Sequence, residues 1–137
     1  FENVSKTDWH LPRDFKRKYI DLFYSKVVRP SMGELRDYFK SNGWQIVNGW
    51  FQQYNKNSSH PWHNHADAHW ANSYFLELPD KKFKTEIKSK NKIMKYDVEE
   101  GQIICFPAYL LHRSKPNGDK RKTVIAFNSN FIFPNPL

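Results

Sequence analysis

Four of the chain's six histidines and one carboxylate fall within ten residues, His60-Pro61-Trp62-His63-Asn64-His65-Ala66-Asp67-Ala68-His69. In an extended segment side chains alternate between faces, so His63, His65, Asp67 and His69 would share one. A histidine and an aspartate two apart, joined by one ligand from elsewhere, make a facial metal triad that leaves positions open for substrate. His112 is the candidate third ligand, just past a break at Pro107-Ala108. We therefore read His65, Asp67 and His112 as the catalytic, metal-binding set. Two imidazoles and one carboxylate suit a divalent iron that keeps three positions free for a co-substrate and dioxygen. His63 points the same way one strand step off, about 7 Å; it is the alternative ligand, set second because only His65 has a carboxylate two residues on.

Arg121 follows His112 by nine residues and Thr123 comes two later. On a strand Arg121, Thr123, Ile125 and Phe127 face one way. A guanidinium and a hydroxyl on an otherwise apolar inward face would hold the distal end of a dicarboxylate through a bidentate ion pair and one hydrogen bond. Lys120 and Lys122 read as exposed neighbours of that arginine. Cys105, in an apolar run with no paired base, reads as a small buried hydrophobe.

These groups need a scaffold. From Arg13 to Val28 the apolar residues Phe15, Tyr19, Leu22, Phe23 and Val27 recur at helical spacing. A second helix is expected from a capping box at Ser31 and Glu34 to Asn42-Gly43, with Met32, Leu35 and Phe39 as its buried stripe. The period then changes to two. Residues 44–54 and 72–78 read as strands, 83–98 as a hairpin turning at Lys90-Asn91, and 102–106 and 121–128 as further strands. Short strands after helices, without a β-α-β rhythm, predict a mainly β fold: an antiparallel sandwich or barrel with N-terminal helical support. Residues 1–137 are expected to form one domain, with 1–43 as the helical support and 44–130 as the core.

Composition sets the outer bounds. Aromatic residues make up 17% and hydrophobic residues 39% of the 137, which is globular and not the composition of a disordered chain. No apolar run reaches membrane length and no signal-peptide pattern opens the chain, so no membrane partner and a cytoplasmic location are expected. A single cysteine excludes an internal disulfide and favours a reducing compartment. Lysine and arginine outnumber aspartate and glutamate 22 to 14, a net charge of +8. That excess permits nucleic acid or an acidic substrate, although the dense segment from Lys81 to Lys95 reads first as a solvated hairpin.

The ordered set His65-x-Asp67, His112 and Arg121-x-Thr123 resembles the iron(II)- and 2-oxoglutarate-dependent oxygenases. The phrases His63-Asn64-His65, Gly101-Gln102-Ile103-Ile104-Cys105-Phe106-Pro107 and Arg121 to Asn128 are similar in particular to a small bacterial and phage branch of that superfamily. The resemblance covers residues 44–130 and implies a double-stranded β-helix, the jelly-roll or cupin-like core. It further implies that His65, Asp67 and His112 hold Fe(II) and that Arg121 and Thr123 bind the far carboxylate of 2-oxoglutarate. Tyr54, Gln52, Asn72 and Tyr74 are candidate supporting contacts to that co-substrate. The implied reaction uses O2 to convert 2-oxoglutarate to succinate and CO2 while hydroxylating, or demethylating, a primary substrate; action like that of a prolyl hydroxylase is one form. The primary substrate stays open among peptide, metabolite and nucleic acid. Two other readings of the residues compete: a cupin-like metal protein without 2-oxoglutarate chemistry, and a basic nucleic-acid-binding barrel that stacks bases on its aromatics.

Overall fold

A computed structural model describes residues 3–134. Among the described residues nine strands form two antiparallel sheets. They are β1 (Lys6–Thr7), β2 (Gly43–Tyr54), β3 (His60–His63), β4 (Trp70–Glu77), β5 (Glu86–Ser89), β6 (Lys92–Ile93), β7 (Ile103–Pro107), β8 (His112–Ser114) and β9 (Lys122–Ile132). The larger sheet has the order β1-β2-β9-β4-β7 and the smaller β3-β8-β5-β6. The hairpin between β5 and β6 turns at Lys90 and Asn91, both with positive φ (52° and 62°), as a tight two-residue turn requires.

Helical structure covers one outer face of the larger sheet. Two helices were expected from the sequence; one continuous helical stretch is found, made of α1 (Ile20–Phe23), a π turn at Tyr24–Val28 and α2 (Arg29–Phe39). Pro30 has no amide hydrogen to give, and the wider turn before it lets the stretch pass through without breaking. Ser31 therefore lies inside the helix instead of capping it. The end comes at Lys40, whose left-handed φ of 55° lets the amides of Lys40 and Ser41 reach the carbonyls of Asp37 and Arg36.

Residues 13–19, also expected to be helical, instead gather around Asp8. Its carboxylate accepts from Arg17 Nε at 2.8 Å, Tyr19 Oη at 2.7 Å and the Phe51 amide at 2.8 Å. This hub fastens the N-terminal segment to β2.

The register of β9 decides which side chains face which layer. Residues paired across antiparallel strands share a face, and β9 pairs Lys122, Val124 and Ala126 with Tyr54, Gln52 and Trp50. This is the face turned toward the smaller sheet. Ile125, Phe127 and Phe131 face the other way and pack with Phe23, Val28 and Met32 of the helical layer. Among the described residues no helix is long and apolar enough to cross a membrane.

Candidate metal centre

β3 and β8 are neighbours, and their register sets His63 directly opposite His112. The two rings lie 4.1 Å apart, with His65 at 4.9 Å from His112 and 5.5 Å from His63. One nitrogen from each of His63, His65 and His112 lies within 4.8 Å of the others. The three rings converge on a cavity between the sheets whose wall includes Trp50, Gln52, Tyr54, Phe106, Val124 and Ala126. The cavity holds about 20 Å³, room for one water-sized group.

Each ring is oriented by a partner on its Nδ1. His63 Nδ1 meets the Pro61 carbonyl at 2.7 Å, and His112 Nδ1 meets the Leu110 carbonyl at 3.1 Å. His65 Nδ1 meets Asn128 Oδ1 at 2.5 Å, and the amide nitrogen of Asn128 is in turn committed to Asn48 Oδ1 at 2.9 Å. Carbonyl oxygens only accept, so Nδ1 carries the proton and Nε2 presents its lone pair to the cavity. Such outer contacts are how metal-binding histidines are held in one tautomer. Burial, reinforced by the neighbouring imidazoles, pushes His112 down to about 3 and lowers His63, so both rings are neutral at pH 7. The donor set thus fits a divalent ion that prefers imidazole ligands.

Asp67 is not in the cluster. β3 ends at His63, and beyond it the chain is irregular: the His65 amide is tied to the Ala108 carbonyl and the His69 amide to Asn130 Oδ1. The alternation assumed across residues 63–69 therefore fails. Asp67 sits exposed, with Arg13 Nη2 at 3.4 Å, and His69 is exposed as well. His63, held in second place on sequence, fills the third position of the cluster. His60, read on sequence as an ordinary polar residue, is buried with its ring 3.9 Å from that of His63; burial and then His63 push it down to about 3.

The far end of the same barrel carries a second correction. Arg121, Thr123, Ile125 and Phe127 do share a face, but it is the outer one. Arg121 grips Glu77 with Nε and Nη2 at 2.9 and 3.0 Å, and Thr123 Oγ1 lies 2.5 Å from Glu77 Oε1. The carboxylate that this pattern meets is the protein's own. The guanidinium, then the hydroxyl, hold the Glu77 carboxyl below the usual range. Lys122, expected to be exposed, is the inward cation, 1% exposed. Its Nζ donates to the Phe83 carbonyl at 2.8 Å and Ser114 Oγ at 3.2 Å, and lies 4.3 Å above the Tyr54 ring. No carboxylate pairs with it among the described residues. The missed signal was its parity with Val124, Ala126 and Asn128.

The supporting candidates divide between the two faces. Gln52 and Tyr54 line the cavity, joined by a 2.9 Å hydrogen bond from Tyr54 Oη to Gln52 Oε1. Tyr74 packs against Phe23 under the helical layer. Asn72 borders the cavity, but its amide nitrogen is committed to the Phe127 carbonyl and Ser129 Oγ. Cys105, read on sequence as a small buried hydrophobe, is half-buried, and burial pushes its thiol up to about 12.

No protein-family model and no curated protein matches the sequence. Solved structures do match, and they define the fold as the double-stranded β-helix of the 2-oxoglutarate-Fe(II) oxygenases. An oxidoreductase of the 2OG-Fe(II) oxygenase family from Burkholderia pseudomallei superposes with a TM-score of 0.65 at 12% identity, over 80% of this chain and 53% of that one. This chain thus spans about half the length of that protein. The viral collagen prolyl hydroxylase of Paramecium bursaria Chlorella virus-1, in its 2-oxoglutarate complex, gives 0.61 at 15% identity, over 97% of this chain and 82% of that one. A Pseudomonas putida prolyl-4-hydroxylase gives 0.56 at 10% identity, over 89% and 69%.

Proposed function

We propose that the chain is an iron(II)- and 2-oxoglutarate-dependent oxygenase in which His63, His65 and His112 hold the iron. Lys122, and not Arg121, seats the far carboxylate of 2-oxoglutarate. One observation carries this reading: a three-imidazole cluster and a buried, uncompensated ammonium occupy the two ends of one barrel interior, with Gln52 and Tyr54 between them. An unpaired buried cation is strongly unfavourable, and a dicarboxylate whose near end meets the metal supplies the missing counter-charge. The likeness in fold to a structure holding 2-oxoglutarate supports the same reading.

When bound, iron and 2-oxoglutarate would supply activation of O2 with loss of CO2 and formation of succinate, and the outcome at the primary substrate is hydroxylation or demethylation. The chain's own part is to bind, orient and exclude water. The Nδ1 contacts fix the rings; Phe106, Val124 and Ala126 keep the interior apolar; and Lys122 sets the depth of the dicarboxylate. The 20 Å³ cavity must widen to admit it. Prolyl hydroxylation, named for two of the structural neighbours, is one form the reaction can take.

The direct test is anaerobic titration of the iron(II)-loaded protein with 2-oxoglutarate, following the weak visible charge-transfer band of the chelate. A saturating band is the expected result. Iron binding without a band would favour a cupin-like metal protein.

Binding should also be linked to protons. Burial, with Lys115 adding repulsion, pushes the Lys122 ammonium down to about 7, and an arriving carboxylate raises it again. Above pH 7 the free protein has lost that proton and must take one up to bind, so affinity falls as pH rises through and beyond 7; below 7 it is flat. Calorimetry in buffers of different ionisation enthalpy should show uptake approaching one proton per 2-oxoglutarate on the alkaline side.

A further inference from the structure

Beside the metal cavity lies an open groove of about 530 Å³, walled by Trp9, His10, Arg13, Asn48, Trp50 and Asp67. We propose that it binds one nucleotide of a single-stranded nucleic acid as the primary substrate, an inference that rests on the oxygenase reading. Trp50 is the common wall: it lines both groove and cavity, and its ring is 5.9 Å from that of His65. Its Nε1 is buried with no hydrogen-bond partner, so a donor stands ready for an acceptor that the described residues do not provide.

The groove's outer side is prebuilt. Asp8 is locked by Arg17, Tyr19 and the Phe51 amide, which holds the next residue, Trp9, edge-on to Trp50 at 4.4 Å between ring centres. Trp9 is 43% exposed as a residue, and its indole is a flat platform of the kind bases stack on. Arg17 is neutralised by Asp8, whereas Arg13 has only the exposed 3.4 Å contact with Asp67. Such a pair is worth little and yields readily to a phosphate. Lys16 and Lys18 are exposed on the same segment, in a chain carrying +8.

A peptide is the less suited occupant. Extended peptides dock by adding a strand to an open sheet edge. Here part of the β2 edge next to the groove is already taken, the Phe51 amide by Asp8 Oδ1 and its carbonyl by Thr7 Oγ1. The groove offers the cation of Arg13 and the aromatic faces of Trp9 and Trp50.

The test is binding of a fluorescent oligothymidylate to the full chain, followed by anisotropy over a salt series. Trp9→Ala should weaken it about tenfold, and Trp9→Phe should restore most of the loss. Arg13→Gln should weaken it and reduce the salt slope by about one, while Lys26→Gln, on the helix, changes little. The iron and 2-oxoglutarate titration should be unaltered in the Trp9 and Arg13 variants. The proposal is overturned by absence of saturable binding, by equal losses in Lys26→Gln, or by equal displacement with polyglutamate or polyproline peptides. A wild-type charge-transfer band without oligonucleotide binding sinks the groove alone. Oligonucleotide binding without the band would overturn the groove's role as an oxygenase substrate site.

Discussion

Replacing His112 by alanine is expected to abolish iron(II) binding, and His63→Ala and His65→Ala should do the same, whereas Asp67→Ala should leave metal affinity unchanged. The contrast separates the geometry from the local sequence pattern, in which Asp67 is the more conventional ligand. His63, His65 and His112 converge with their Nδ1 atoms engaged and their Nε2 atoms free, while Asp67 is turned out toward Arg13. Calorimetric titration of iron(II) under anaerobic conditions checks all four variants. Retained affinity in His63→Ala, with loss in Asp67→Ala, would restore the two-histidine, one-carboxylate triad and mean that the 64–69 loop rearranges on loading. Truncating any of the three histidines removes a ligand from a three-ligand site, a larger loss than the 10- to 100-fold typical of an outer contact.

Lys122→Met should lower 2-oxoglutarate affinity by about a hundredfold or more and leave iron binding intact, while Arg121→Ala should leave both unchanged. Arg121 is already satisfied by Glu77 on the outer face, so removing it disturbs a surface clamp and not the barrel interior. The methionine variant should also be the more stable protein below pH 7. The sign follows from the folded lysine titrating near 7 against an ordinary 10.5. The unfolded chain binds the proton more readily, so the penalty is full below 7 and is relieved as pH rises from 7 toward 10.5, at about 1.4 kcal/mol per unit. Thermal unfolding of both proteins across that range should show wild type gaining stability with pH and the variant staying flat. Parallel curves would mean that Lys122 is not a buried charge, and the co-substrate's anchor would have to be sought elsewhere.

Much of the fold was legible because its signals are local. The change of hydrophobic period at Trp44 places β2 to within a residue, and the Lys90-Asn91 turn is where the chain reverses. Shared faces were legible too, since Thr123, Ile125 and Phe127 do lie together. What no local pattern carries is which of two faces looks inward. β9 is buried on both sides, by the helical layer and by the smaller sheet, so its apolar residues marked the outer core as readily as the inner. Arg121 and Lys122 were assigned the wrong way round for that reason. The histidine stretch failed differently: parity holds only while a strand lasts, and β3 stops at His63. The helical stretch was divided because Ser31 and Glu34 imitate a cap, while the π turn that carries the chain past Pro30 has no signature in hydrophobic spacing.

The two sheets are unequal in a way that bears on how the site is assembled. β2 and β9 are zipped together along nearly their whole length, whereas β3 and β8 are four and three residues long. The histidines stand on that thin pair and on the loop after it. An ion held by His63, His65 and His112 would therefore serve as a clasp as well as a reagent, tying strands whose own ladder is short to each other across the mouth of the barrel. Without an ion, that end rests on few ladder bonds, the kind of segment that opens locally at low free energy. Tightening of the mouth and arrival of the metal would then be one event, and loading the metal would order the surface beside Trp50.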